Sequence, residues 1–442
     1  MKTHQYPVDL TDEQIEEFGN ELEAIRNEVF DSRGDRDRAY ILKVIKTQRT
    51  MAVSSRFVIY LSLFFIPAWG HALATWPVAL TLMGLGVFAL GIAKILENME
   101  IAHNVLHAQW DWMKDPEIQS NTWEWDTMSP SDRWMHSHNV VHHTWTNVLE
   151  KDLDVGYGIM RVTPMQKWKP AFLLQPIYFI LLMLLFEEGV AVHEQAIDDH
   201  LKGKNKLKDF TPLLKRIGYK VWRQVAKDYI AWPLAAALVA IPISFYVPFS
   251  PLLVFGMVAG ANAVANLIRN IWAFTIIFCG HFPAGAHNFT LEQVEGETRG
   301  RWYLRQMLGS CNIEGGKLFH ILSGNLSHQI EHHLFPDLPS NRYYEISLRV
   351  RELCDKYDLP YTTGNFAVQY GKSWRTIAKL SLPDRFLRDT ADDAPETRSE
   401  RMFAELAPAQ RTGLKSAIAA VRARRRAKRA EKAAEQRPEL AA

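Results

Sequence analysis

The sequence predicts an all-α integral membrane protein: four transmembrane helices in two hairpins under a cytoplasmic helical cap. Three observations predict it. Long apolar blocks alternate with strongly polar ones although the overall hydrophobic content is an ordinary 48%, which marks a membrane protein with a large aqueous part. Histidines gather in three clusters, His103/His107, His138/His142/His143 and His328/His332/His333, each with members one helical turn apart. The apolar blocks come in pairs ahead of these clusters, so crossing a bilayer and returning brings all three to one side.

The bulk properties exclude several classes. A formal net charge of +2 over 442 residues gives no global electrostatic case for nucleic acid. Cys279, Cys311 and Cys354 are isolated, without a C-x-x-C, which excludes a disulfide framework, a zinc finger and a built-in iron–sulfur cluster. The polar N-terminus predicts no signal peptide.

Residues 1–50 form a cytoplasmic N-terminal helical segment. Thr11 to Gln14 fits a capping box, and Ile15, Phe18, Leu22, Ile25 and Val29 follow at helical spacing, so an amphipathic helix is expected. The membrane unit spans residues 51–360. Its first hairpin pairs spans at about 56–74 and 76–96, each near the ~20 residues a crossing needs. The link His71–Thr75 carries no Lys or Arg, whereas seven basic residues from Arg33 to Arg56 precede the first span. By the positive-inside rule the N-terminus and the returning end are cytoplasmic.

A polar segment rich in tryptophan (Trp110, Trp112, Trp123, Trp125, Trp134) joins the first two clusters. Residues 171–194 are apolar but interrupted by Glu187 and Glu188. Ionisable residues inside a span are expensive, and an even number of crossings must separate His143 from His328 if the clusters are to meet. This stretch is therefore read as an interfacial helix. The second hairpin pairs spans at about 229–248 and 251–279. The latter carries Asn262, Asn266 and Asn270, a stripe suited to helix–helix hydrogen bonds. His281 follows Asn270 by eleven residues, three turns, and so joins the same face at the clustered end.

Residues 361–442 form a cytoplasmic C-terminal region. Its basic run at 411–432 reads as a solvated tail able to meet anionic headgroups. The end, Leu440-Ala441-Ala442, resembles bacterial C-terminal degradation tags and predicts controlled turnover, which half-life measurement after replacing both alanines by Asp would check.

Clustered imidazoles are costly to bury without partners, and neutral imidazole is the commonest protein metal ligand. Three clusters on one membrane face need a common cause, which local hydrogen bonding does not supply. A zinc peptidase needs H-E-x-x-H, which is absent, and a haem takes only one or two axial histidines. With His281 added, nine imidazoles suit two divalent metals with open positions: His103, His107, His138, His142, His143, His281, His328, His332 and His333. Imidazole fits iron, copper and zinc alike, so ligand type leaves the metal open. His136, His287 and His320 stand near the clusters but off pattern and are expected to be satisfied locally. The run Gly84–Gly91 lies inside a span without a βαβ context, which excludes a dinucleotide site.

H-N-V-L-H at 103–107, H-N-V-V-H-H at 138–143 and H-Q-I-E-H-H-L-F-P at 328–336 resemble the three histidine boxes of membrane fatty-acid desaturases, over roughly residues 50–360. Longer segments, E-N-M-E-I-A-H-N-V-L-H-A-Q-W-D-W-M, W-Y-L-R-Q-M-L-G-S and N-L-S-H-Q-I-E-H-H-L-F-P-D-L-P-S-N-R, look like the actinobacterial NADPH-dependent stearoyl-CoA Δ9 desaturases. The resemblance implies a di-iron site held by the cap, an acyl-CoA substrate and O2 as co-substrate. It implies removal of two hydrogens from adjacent methylenes, leaving a cis double bond and water. It also implies an electron supply from NADPH through a separate flavin or iron–sulfur oxidoreductase. The chain itself has no H-P-G-G haem-binding signature and no cysteine quartet.

Two positions are open. Gln329 fits the Q-x-x-H-H form of the third box, as in front-end relatives, while His328 fits H-x-x-x-H-H. His328 is taken as the ligand because an amide is the poorer iron ligand. The animal stearoyl-CoA desaturases use an Asn four residues before the extra histidine, and here Ile277 stands there, leaving Asn270 or water to serve. The resulting reading is a multi-pass desaturase of the cell membrane, with its active site and both termini cytoplasmic. A front-end (Δ6-type) desaturase or a membrane di-iron hydroxylase is the competing enzyme reading. A membrane metal transporter or sensor is the competing class, favoured only by the asparagine stripe. The first hairpin and the Trp-rich segment are the expected walls of an acyl tunnel. The basic stretch 202–227 is an expected dock for an acidic reductase or for CoA phosphates.

Overall fold

The computed structural model describes residues 6–193, 207–246, 250–283 and 285–384. The basic run 411–432, the last three residues and the start of the basic stretch 202–227 lie outside the described residues.

Helix α1 (Asp12–Asp31) starts at the expected capping box. Thr11 Oγ1 accepts the Gln14 N–H at 3.3 Å, and Gln14 Oε1 accepts the Thr11 N–H at 2.9 Å. Its apolar face is buried in one core with Tyr303, Phe335, Tyr343 and Ile346 of the cap. A Cβ on Gly19 would lie 2.5 Å from Gly300 Cα, so the crossing of α1 with the cap depends on glycine at both positions.

Helices α2 (Asp35–Phe64) and α3 (Trp76–Leu106) form the first hairpin. The stretch 56–74, expected as the first span, is not one continuous helix. Helix α2 ends at Phe64 and Pro67–Trp69 makes a 3₁₀ turn. The cause is local: the residue before a proline is pushed out of the α region, and Ile66 is extended at φ −66°, ψ 137°. Among the described residues, three helices are long and apolar enough to cross a membrane: α3, Leu214–Ser244 and Pro251–His281. The stretch read as one interfacial helix is two, α4 (Pro170–Leu184) and α5 (Phe186–His193), bent by 101°. By length and composition the pair also passes as one broken crossing.

Helices α6 (Leu214–Ser244) and α7 (Pro251–His281) form the second hairpin. The asparagine stripe stitches α7 to its neighbours. Asn262 donates to Asp228 O at 2.6 Å, and Asn266 to Asp228 Oδ2 at 3.3 Å. Asn270 donates to Leu184 O at 3.0 Å. The same Asp228 pairs with the buried Lys94 of α3 at 2.8 Å. Basic residues of α6 reach the Trp-rich segment: Arg216 pairs with Asp132 at 2.6 Å, Lys220 with Glu124 at 2.7 Å, and Lys227 with Asp126. These cations fasten α6 to that segment.

The cap comprises α8 (Arg299–Leu308), α9 (Gln329–Leu334), α10 (Tyr343–Lys356) and α11 (Phe366–Leu380). Strands β1 (Asn312–Glu314) and β2 (Thr363–Asn365) pair in parallel, with Ile313 opposite Gly364. Helix α11 is packed on the membrane helices. Ser373 Oγ donates to Phe278 O at 3.3 Å, and Gln175 Nε2 to Ile377 O at 2.6 Å.

Candidate metal centre

Wide π turns shape the first two histidine clusters. Residues Leu96–Ala102 are π-helical immediately before His103, and His136–His142 are π-helical within the second cluster. Such bulges re-aim side chains and recur at functional sites. The third cluster comes from the short helix α9, buried against the cap.

The structure brings eight of the nine expected histidines together. Ring nitrogens of His103, His107, His138 and His332 lie within 4.8 Å of one another. So do those of His142, His281 and His333, and those of His143, His332 and His333. The result is two nests joined by His143. Within them, His103 Nε2 lies 3.4 Å from His332 Nε2 and His281 Nε2 lies 3.3 Å from His333 Nε2.

His328 does not join them. It precedes α9 in a non-helical conformation (φ −101°, ψ 57°), so its side chain does not share the helical face of His332. Its ring stacks on His320 at 4.5 Å. Gln329, the first helical residue, faces the nest instead, with its amide nitrogen 2.9 Å from His281 Nε2. Gly280 makes this possible: a Cβ there would lie 2.9 Å from Gln329 Cγ. His136 is exposed, His287 lines a separate surface hollow, and His320 Nδ1 meets Ser327 Oγ at 2.7 Å. Asn270 is engaged with Leu184 and Arg269 and so does not replace the Asn missing at Ile277.

The nests fit a metal. His107 Nε2, His138 Nε2, His142 Nε2 and both His143 ring nitrogens are buried without a hydrogen-bond partner. Buried unpaired polar atoms are few in folded proteins, and here they converge. Burial pushes His107, His143, His332 and His333 well below the ordinary imidazole range, which keeps the neutral, ligating form. This donor set is compatible with iron.

Surrounding groups fix the rings. His142 Nδ1 lies 3.0 Å from Asp152 Oδ1. Burial works against a charge on His142, but Asp152 and then Asp154 outweigh it and raise the ring to about 9. Gln306 Oε1 lies 3.1 Å from His333 Nδ1, and the Gln306 amide donates to His143 O at 2.9 Å. Tyr343 OH lies 3.4 Å from His332 Nδ1. Such outer partners set ring orientation and basicity. Sequence spacing did not reveal Asp152, Asp154 or Tyr343; Gln306 sits in the W-Y-L-R-Q-M-L-G-S segment.

A narrow cavity of about 80 Å³ opens from the nests. His103, His138, His142, His281 and Gln329 form one end, and Met99, Trp125, Trp134, Phe186 and Ile277 contribute walls. Trp134 also stacks on His138 at 4.4 Å. The first hairpin and the Trp-rich segment thus line the cavity together with α5 and α7.

A sequence profile of the family described as fatty acid desaturase matches residues 74–365. The chain is similar to NADPH-dependent stearoyl-CoA 9-desaturase of Mycobacterium tuberculosis, 51% identical over 442 aligned residues covering 98% of this chain and 97% of that protein. It is also similar to the sn-1 linoleoyl-lipid 6-desaturase of Synechocystis, at 24% identity over 73% of this chain and 87% of that one. A fatty acid desaturase 2-like protein of Mus musculus is 24% identical over 56% of this chain and 46% of its own length.

Proposed function

Since the chain belongs to the fatty acid desaturase family, we propose that this membrane oxidoreductase introduces a cis double bond at Δ9 of stearoyl-CoA, using O2 and electrons from NADPH. The observation that carries the reading is the joined pair of histidine nests opening on a largely apolar cavity. Identity of 51% across nearly the whole chain supports the substrate and donor.

His103, His107, His138 and His332 would hold one iron, and His142, His281 and His333 the other, with His143 between them. Bound iron would supply the redox chemistry for removing two hydrogens from adjacent methylenes; these, with O2, two electrons from NADPH and two protons, leave as two waters. The residues of the chain do the rest. Asp152, Gln306 and Tyr343 orient the rings. Trp134, Ile277 and Phe186 exclude water and hold one C–C bond at the nests, so that cavity shape sets the position of the double bond.

A separate reductase carries the electrons from the cytoplasm, the side to which the basic residues ahead of the first crossing assign the N-terminus. The proposed topology keeps four crossings, the first supplied by the apolar half of α2 and completed by the turn at Pro67. Gln329 in the second nest favours a second reading, a front-end desaturase acting nearer the carboxyl end. The test is purified protein with iron, a reductase, NADPH and stearoyl-CoA, with the double bond located by mass spectrometry. A Δ9 product is expected; a Δ6 product, a hydroxylated product or turnover of phospholipid alone overturns the proposal.

A further inference from the structure

Charged side chains line the cavity away from His281. Along one face of α7, His281, Ile277, Ala273 and Asn270 line the cavity in order, with Arg269 beside Asn270. From the nests this end is about 17 Å away, at 1.5 Å of rise per residue. Arg269 forms an ion pair with Glu187 of α5, both side chains at most 5% exposed. Asn270 Oδ1 accepts from Arg269 Nε at 3.2 Å, and Asn270 Nδ2 donates to Leu184 O at 3.0 Å. Leu184 is the last residue of α4, so its carbonyl is one that a helix end leaves unpaired. Arg269 and Asn270 therefore pin the break between α4 and α5 to α7, and all three polar groups, Glu187, Arg269 and Asn270, line the cavity there.

We propose that the Glu187–Arg269 pair, braced by Asn270, is the end stop of the acyl cavity and sets the longest chain accepted. This rests on the desaturase reading. A methyl terminus that reached the pair would have to separate two buried, mutually satisfied charges, which is strongly unfavourable. A chain that stops short of the pair meets the apolar wall at Ala273 instead.

The test replaces the pair by apolar side chains of similar size, Glu187→Leu with Arg269→Met, a type of exchange that is often neutral for stability. Full-length, iron-loaded protein is used. Binding of saturated acyl-CoAs of eighteen, twenty and twenty-two carbons is measured without reductant, and product formation with it. The expected result is a gain on the order of tenfold in relative affinity and turnover for the chain two carbons longer, from two methylenes buried at ~0.8 kcal/mol each. Glu187→Gln with Arg269→Gln keeps a polar floor and is expected to keep the wild-type profile. An unchanged length profile in the apolar variant overturns the end stop. So does an equal loss of affinity for every length, which would put the thioester at this end. Failure of the desaturase reading is a separate outcome: wild-type enzyme would form no double bond in any acyl-CoA.

Discussion

Gln329 and His281 meet across the second nest, amide nitrogen to ring nitrogen at 2.9 Å, while His328, one residue earlier, stacks on His320 at 4.5 Å. Adjacent positions thus carry opposite expectations. His328→Ala should keep iron content and turnover close to wild type. Gln329→Ala should lose 10–100-fold in iron affinity or activity, the usual range for removing a group that orients metal ligands. Iron analysis and O2-dependent product formation on the two purified variants check this. The reverse ranking would show that the third box binds through His328.

The two nests predict different losses for different histidines. His281 lies only in the group with His142 and His333, whereas His332 belongs to two of the three all-histidine groups. His281→Ala is expected to release one of two irons per chain. His332→Ala is expected to release both, with activity. Removing metal from the wild type by a chelator should abolish turnover, and added ferrous iron should restore it. A His332→Ala protein with a full iron complement would refute the assignment.

The parts of this arrangement legible in the sequence are those fixed by local periodicity. The capping box at Thr11 and the buried face of α1 follow from helical spacing alone, and so does His281, three turns after Asn270 on a continuous helix. What failed was periodicity applied across a helix boundary. His328 and His332 are four apart, but α9 starts at Gln329, so only the second is set by the helix. Hydropathy likewise ran through Pro67 and hid the end of α2 at Phe64. The π turns at Leu96–Ala102 and His136–His142 and the approach of Asp152 to His142 depend on tertiary packing, for which residue spacing carries no signal.

Asp152 gives a prediction for the outer layer. Its carboxylate lies 3.0 Å from His142 Nδ1 and accepts the Asn147 N–H at 2.8 Å. Asp152→Asn keeps the shape but removes the charge that polarises the ring. Metal affinity is expected to weaken 10–100-fold while the fold is retained. Competition for iron against a chelator of known affinity measures it. Equal affinities in variant and wild type would leave Asp152 a purely structural role.

The last prediction concerns how the N-terminal helices are tied to the cap. Asp37 at the start of α2 takes Arg342 Nε at 2.6 Å and Nη2 at 2.8 Å, the Asn341 amide at 2.8 Å and the Gly34 N–H at 3.1 Å. Burial alone would raise this carboxyl, but the bonds from Arg342 and Asn341 outweigh it and hold it below its ordinary value. The folded pKa is therefore the lower one. The stabilisation is complete above the unfolded value of about 3.9 and is lost as pH falls through the folded value. Asp37→Asn removes one partner of a buried, bidentate pair and should cost about 3 kcal/mol near neutral pH. Thermal unfolding in detergent, followed from neutral pH to below about pH 4, should show the gap between wild type and variant closing at the acid end. A gap that stays constant over that range would mean that the carboxylate charge does not hold the cap to α2.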